Sequence, residues 1–207
     1  MKAMQLTAGV MTLDTNVVMR LLDRDGNAKP IFQENNICIA LLDRGIISPH
    51  WINTFFGQIV SHLFVLGTWG KEKNAHNLIT TVGKAAVAGL INGVGSVPTF
   101  VSIGQGTGVT AAAAGDTTLG TEVKADGTAA AGVHAVASAT ATLVTTTTTN
   151  DTAQFVGTIS EAATIAVTES GVFNATTNGT LLARQVFTAV NVVSGDSLQF
   201  TWKIKAA

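Results

Sequence analysis

The sequence predicts a mainly β protein with some α-helix: an antiparallel β-sandwich or jelly-roll forms the C-terminal module, and a mixed α/β part precedes it. Three observations predict this fold. Apolar and polar side chains alternate in the C-terminal half, turn-forming segments divide the alternating runs, and charge is concentrated before about residue 75. The last run is the clearest, since its apolar residues would share one strand face. These residues are Leu198, Phe200, Trp202 and Ile204.

The other alternating runs are short and regularly spaced. They lie at residues 100–103, 134–148, 154–159, 164–168 and 181–190. Glycine, asparagine, serine and aspartate mark the segments between them, at residues 104–108, 150–151, 174–179 and 194–196. Strands with one polar and one apolar face favour antiparallel pairing, and this spacing favours a sandwich or jelly-roll.

The N-terminal part is predicted to span residues 1–73 and the C-terminal module residues 74–207. Residues 17–33 resemble a hairpin around a turn at residues 24–27, with Pro30 indicating an edge strand. Residues 37–42 predict a short helix. Its N-cap would be Asn35 or Asn36, and Gly45 would end it.

A second helix is predicted from residue 74 to residue 92, at the start of the C-terminal module. Apolar residues recur there at spacings of three and four, and an Asn-Gly pair ends the run. The recurring residues are Leu78, Val82, Ala85, Ala86 and Leu90. Small residues between them would allow close packing against a sheet or a neighbouring copy.

The segment of residues 51–69 carries more large apolar side chains than a surface element can hide alone. Polar residues interrupt it, so it falls short of the roughly 18 apolar residues of a membrane-spanning helix. Its aromatic side chains would fill the subunit's own core or bind a partner. The candidates for a partner interface are Trp51, Phe55, Phe56 and Phe64.

The composition excludes several classes of function. Charged residues make up 12% of the chain, about half the usual share of about 25%, and the net charge is -1. Such a chain has no electrostatic field for nucleic acid or a membrane surface. A surface of threonine, serine and asparagine suits a β-rich protein in a repeating assembly, although many extracellular β proteins share it. The single cysteine, Cys38, cannot form an intramolecular disulfide and is predicted to be a buried apolar side chain.

No catalytic, cofactor or metal site is predicted. The glycine-rich residues 104–108 lack the helix and lysine of a phosphate-binding loop, and are interpreted as a tight turn. The four histidines are scattered without ligand spacing. Glu169 and Arg184 stand out in a module with few charges. They are predicted to form an ion pair across neighbouring strands or, alternatively, to contact another subunit.

Several motifs of the C-terminal module resemble a module that recurs in structural proteins of tailed phages. They are NLITTVGK at residues 77–84, IGQGTG at 103–108 and GDTTLGTE at 115–122, followed by ESGVFNA at 169–175, GTLLARQVF at 179–187 and the strand of residues 196–204. The resemblance covers roughly residues 74–205. It implies a β-module of a phage particle, as in tail, fibre or decoration proteins, without catalytic residues.

The expected function is therefore a non-enzymatic structural component of a tailed-phage virion, either a capsid decoration protein or a tail, baseplate or fibre protein. It would assemble in the host cytoplasm and contact other virion proteins through residues 1–73. A homo-oligomer is expected, with a trimer favoured. The alternative is a receptor-binding or carbohydrate-binding module displayed on the virion. That alternative is weaker, because aromatic residues make up only 6% of the chain and tyrosine is absent.

Overall fold

The computed structural model describes residues 13–44, 46–47, 60, 66–93, 99–130, 132–134 and 139–206. The fold is mainly β with antiparallel sheets, as the alternation of apolar and polar residues predicts. The sheets curl into a half-barrel. Two larger sheets and one two-stranded sheet make up the β-structure of the described residues.

The first sheet is formed by β1 (Leu13–Leu22), β2 (Ala28–Lys29), β5 (Lys73–His76), β9 (Thr140–Val144), β10 (Thr152–Ser160) and β13 (Ser197–Ala206). Its order is β2-β1-β13-β10-β9, and β5 pairs with β1 on the same side as β2.

The second sheet is formed by β6 (Leu78–Ile79), β7 (Ser102–Gly106), β8 (Glu122–Val123), β11 (Ile165–Phe173) and β12 (Leu181–Val192), in the order β6-β12-β11-β7-β8. The third sheet pairs β3 (Ile31–Glu34) with β4 (Gly67–Gly70).

The two larger sheets share one hydrophobic core. The apolar face of β13 is buried as predicted, and Leu198, Phe200 and Trp202 have no exposed area. Val17 from the first sheet and Val167 from the second belong to the same core cluster. Burial of one such side chain contributes about 1.5–3 kcal/mol, so this shared core supplies most of the driving force that holds the sheets together.

The first sheet crosses the boundary predicted between residues 73 and 74. Strand β1 pairs with β13 over its full length, from Leu13 opposite Ala206 to Leu22 opposite Ser197. The boundary itself falls inside β5, which pairs with β1. Strands β1 and β2 and the first residue of β5 are thus built into the same sheet as the C-terminal strands, whereas β3, β4 and α1 (Asn36–Asp43) lie outside it.

The predicted hairpin of residues 17–33 is present but shorter. The Asp23 carboxylate accepts hydrogen bonds from the backbone N–H groups of Asp25 and Asn27, which fixes the turn after β1. Strand β2 has only two residues and lies at the sheet edge, as Pro30 predicts. After Pro30 the chain leaves this sheet, and β3 pairs with β4 instead.

Helix α1 (Asn36–Asp43) is the predicted short helix, and Asn35 is its N-cap. The Asn35 side chain accepts a hydrogen bond of 2.9 Å from the Cys38 backbone N–H. Cys38 is buried beside Phe32, so its predicted role as a buried apolar side chain is confirmed. Gly45, the predicted end of this helix, lies outside the described residues.

Helix α2 (Thr81–Asn92) begins later than predicted. Thr80 is its N-cap, accepting a hydrogen bond from the Gly83 N–H, and the left-handed Gly93 ends it as expected. Residues 74–79 were predicted as helix, but residues 74–76 lie in β5 and residues 78–79 form β6, because their backbone pairs with β1 and β12. Gly83 lies so close to β12 that an added Cβ would be 2.3 Å from the Leu182 carbonyl oxygen, which agrees with close packing against a sheet.

The four aromatic side chains predicted for a partner interface, Trp51, Phe55, Phe56 and Phe64, lie outside the described residues. Within the described part of the chain, no helix is long and apolar enough to cross a membrane.

Candidate functional site

The charged residues Glu169 and Arg184 meet inside the protein. Glu169 lies in β11 and Arg184 in the neighbouring β12, and both side chains are buried. Arg184 Nε donates a hydrogen bond of 2.9 Å to Glu169 Oε2, and Nη2 lies 2.8 Å from the same oxygen. The ion pair predicted across neighbouring strands is therefore present.

The Glu169 carboxylate also binds the backbone of the loop between β7 and β8, residues 107–121. Its Oε1 accepts hydrogen bonds from the N–H groups of Gly108, at 3.0 Å, and Thr121, at 2.6 Å. Its Oε2 accepts one from the Gly120 N–H at 2.9 Å. Both oxygens of a fully buried carboxylate are thus occupied by donors, which offsets the cost of removing it from water.

Arg184 also forms hydrogen bonds with this loop. Its Nη1 donates to Asp116 Oδ2 at 2.8 Å, and its Nη2 donates to the Thr110 carbonyl oxygen at 3.0 Å. Burial acts to raise the pKa of Asp116, but hydrogen bonds from the Ala113 N–H and Arg184 lower it below its usual value. Burial alone would lower the pKa of Arg184, and its bonds to Asp116 and Glu169 raise it instead. Both groups therefore stay charged at neutral pH.

Gly106 and Gly108 of the motif at residues 104–108 lie against this carboxylate, and the motif does not form the predicted tight turn. Residues 104–106 belong to strand β7. A Cβ on Gly106 would lie 2.5 Å from Glu169 Oε1, and one on Gly108 only 2.4 Å from it. The absence of side chains lets the strand end approach Glu169 closely. The Thr168 hydroxyl adds a hydrogen bond to the Gly108 carbonyl oxygen.

A second buried group lies at the other end of this loop. His134 Nδ1 is 2.6 Å from Glu122 Oε1, and the His134 ring stacks on Phe173 with ring centroids 3.5 Å apart. The Gly132 N–H donates to the second oxygen of Glu122. These contacts fix the chain after β8 against the second sheet.

A third buried group joins β7 to the connection between β10 and β11. Gln105 Nε2 donates a hydrogen bond of 2.7 Å to Glu161 Oε1. Gln105 has no exposed area and Glu161 is 2% exposed. Burial raises the pKa of Glu161 to about 7, against the opposing effect of the hydrogen bond from Gln105.

The threonine-rich turn between β9 and β10 is held by Asp151. Its carboxylate accepts hydrogen bonds from the N–H groups of Thr146, Thr147 and Thr148. Burial acts to raise the pKa of Asp151, but these bonds lower it far below its usual value. Asn150, in the turn-forming segment predicted at residues 150–151, lies in this turn with a φ of 59°.

A buried lysine links the two-stranded sheet to the first sheet. Lys73 Nζ donates to Glu34 Oε2 at 2.8 Å and to the Phe32 carbonyl oxygen at 3.2 Å. Burial lowers the pKa of Lys73, while Glu34 opposes that effect. The pair anchors β5 to β3.

These buried groups share one property: the hydrogen bonds that they form are to the protein's own loops and strands. Within the described ranges, no three histidine, cysteine, aspartate or glutamate side chains are grouped to hold a metal ion. Sequence reasoning found Glu169 and Arg184 but missed Asp116, the Glu122–His134 pair and the Gln105–Glu161 pair. The only available signal was the scarcity of charge in this region, since the partners lie 12 to 68 positions apart.

Comparisons with protein-family models, with curated proteins and with solved structures find no match to this chain. Its function is accordingly inferred from the residues, their geometry and the resemblance described above.

Proposed function

We propose that the chain is a non-enzymatic structural component of a tailed-phage virion, as a capsid decoration protein or a tail, baseplate or fibre protein. It assembles with other virion proteins in the host cytoplasm. The chain itself forms a homo-oligomer, for which a trimer is favoured. The resemblance of residues 74–205 supports a phage origin, and the mainly β fold is consistent with the β-module that this resemblance implies.

The observation that carries the assembly role is the edge of the first sheet that β9 forms. Strand β9 pairs with β10 and, among the described strands, with no other. Its residues Thr140 to Leu143 are all exposed, and Leu143 is 65% exposed. The strand contains neither charge nor proline. Free-standing β proteins protect such an edge with charge, proline or a covering element, so this edge suits a protein covered by its neighbours.

Helix α2 supports the same role. Its exposed apolar side chains include Val82, Leu90 and Ile91, of which Ile91 is 70% exposed. Large apolar side chains on an exposed helix contribute little in a monomer and stabilise contacts between subunits. The aromatic residues Trp51, Phe55, Phe56 and Phe64 remain the predicted contact to a virion partner.

The use of the buried charges supports a structural role over a catalytic one. Glu169 and Arg184 form hydrogen bonds with each other and with the loop of residues 107–121. A catalytic carboxylate needs a face open to its substrate. Here the carboxylate binds the loop that connects β7 and β8 of the second sheet.

The proposal is tested by sedimentation velocity of the pure protein and by immuno-gold labelling of virions of the phage that encodes it. We expect a defined oligomer at micromolar concentration and labelling at one layer of the particle. A stable monomer together with unlabelled virions would refute the proposal. Labelled virions combined with specific binding on a glycan array would instead favour the receptor-binding alternative.

A further inference from the structure

Gln105 and Glu161 form a buried pair in which one hydrogen bond is made and two oxygens are left over. Gln105 Nε2 donates to Glu161 Oε1 at 2.7 Å. Gln105 Oε1 and Glu161 Oε2 are both buried, and neither has a hydrogen-bond partner among the residues that the structure describes. Two unpartnered acceptors at one buried contact are unfavourable, and a single proton on the carboxyl group would satisfy both.

We propose that Glu161 is held as a neutral carboxylic acid, whose Oε2–H donates to Gln105 Oε1 and closes a cyclic pair of hydrogen bonds. The acid and the amide then each donate once and accept once. On ionisation the proton passes to solvent, and the new carboxylate oxygen faces the amide oxygen of Gln105. Repulsion between these two oxygens opens the pair.

The pair lies where the chain crosses between the two larger sheets. Glu161 directly follows β10 of the first sheet and leads into β11 of the second. Its N–H donates to the Asp196 carbonyl oxygen at 2.8 Å, and its carbonyl oxygen accepts from the Gly195 N–H at 2.7 Å. Residues 195 and 196 belong to the return crossing, from β12 to β13. A closed pair therefore fastens both crossings to β7, and an open pair loosens them.

Charged groups on the surrounding elements are engaged elsewhere. Asp196 pairs with Lys29 at 2.5 Å, Arg24 donates to the Ser194 carbonyl oxygen, and Glu122 contacts His134. Lys124 and Asp126 are exposed on the turn whose Ala125 carbonyl oxygen accepts from the Ala162 N–H. Burial, opposed only by the hydrogen bond from Gln105, sets the titration of Glu161.

The direction of the pH dependence follows from the proton count. Glu161 has an ordinary pKa of 4.5, and burial raises its pKa in the folded protein to about 7. Between these values the folded protein binds more protons than the unfolded chain, so folding is favoured below this window and weakens as pH rises through it. The ratio of unfolded to folded protein should rise by up to about tenfold per pH unit in the window and level off above it.

The test combines carbon-13 NMR titration of the Glu161 side-chain carboxyl with urea unfolding from pH 5 to pH 9. We expect the carboxyl to titrate near pH 7 and the wild type to lose stability as pH rises. In Glu161→Gln, the new amide can donate to Gln105 Oε1 at every pH, so this loss should disappear. The control Glu72→Gln removes an exposed carboxylate and should keep the wild-type profile.

A Glu161 carboxyl that titrates near pH 4.5 would overturn the proposal. So would a Glu161→Gln protein that loses stability with pH as the wild type does. If Glu161→Gln does not fold, the NMR titration of the wild type decides alone. Both measurements are independent of the particle to which the protein belongs.

Discussion

Trp202 lies directly opposite Val17 in the antiparallel pairing of β13 with β1, and neither residue has any exposed area. One belongs to the last strand of the chain and the other to the first described strand. The core of the first sheet is therefore completed only when β1 and β13 pair. This relationship makes β1 an integral strand of the sheet to which the C-terminal strands belong.

The fragment of residues 74–207 should consequently fail to fold. The fragment lacks β1. Strand β13 would therefore lose one of its partners along its whole length, and Trp202 would be exposed to water. Loss of the contacts of one large aromatic side chain alone costs about 3–5 kcal/mol, a large part of a typical domain's stability. Circular dichroism and urea unfolding of the fragment and the full chain check this. A fragment with a cooperative unfolding transition would contradict it.

Glu169→Gln should destabilise the protein by about 3–5 kcal/mol, because it leaves the buried Arg184 charge without its main partner. The loop of residues 107–121 should lose protection from amide hydrogen exchange, since three of its N–H groups donate to this carboxylate, counting Thr121 at its end. The measurements are urea unfolding and hydrogen exchange.

The matched control is Glu72→Gln, which breaks an exposed ion pair with Arg20 and should cost only about 0–1 kcal/mol. Equal effects of the two substitutions would show that burial does not strengthen the Glu169–Arg184 pair.

Gly108→Ala should destabilise the protein by about 1–3 kcal/mol, since its Cβ would lie 2.4 Å from Glu169 Oε1. Gly115→Ala, in the same loop, places its Cβ in open space. That substitution should be neutral or stabilising by up to about 1 kcal/mol, because alanine restricts the unfolded chain. Thermal unfolding of both variants compares them. A Gly108→Ala protein as stable as Gly115→Ala would exclude a close-approach role for this glycine.

Leu143→Lys should shift the oligomer toward monomer, because it places a charge on the open edge of β9. Val193→Lys is the control, since Val193 is also apolar and exposed but lies on the crossing between β12 and β13. Sedimentation velocity of both variants over a range of concentrations measures the shift. If Leu143→Lys associates as the wild type does, β9 is not a subunit contact.

Local sequence patterns predicted those strands and helix ends whose conformation depends mainly on their own residues. The alternation from Leu198 to Ile204 fixed both the strand and its buried face, because side chains of a strand point alternately to its two sides. Asn35 or Asn36 before α1 and the glycine at residue 93 likewise marked helix ends from single residues, and the structure has Asn35 as the N-cap.

Pairing partners, in contrast, were decided only by the tertiary structure. The helix predicted from residue 74 begins only at Thr81, since residues 74–76 and 78–79 form backbone hydrogen bonds with the edges of β1 and β12. The glycines before residue 109 predicted a turn. In the structure, Gly106 and Gly108 let the chain approach Glu169, which lies 61 positions beyond Gly108. Likewise, the sequence by itself determined that Glu169 and Arg184 are isolated charges in a β-rich module; only the fold decided which loop they hold, because contact between distant residues depends on how the strands are ordered.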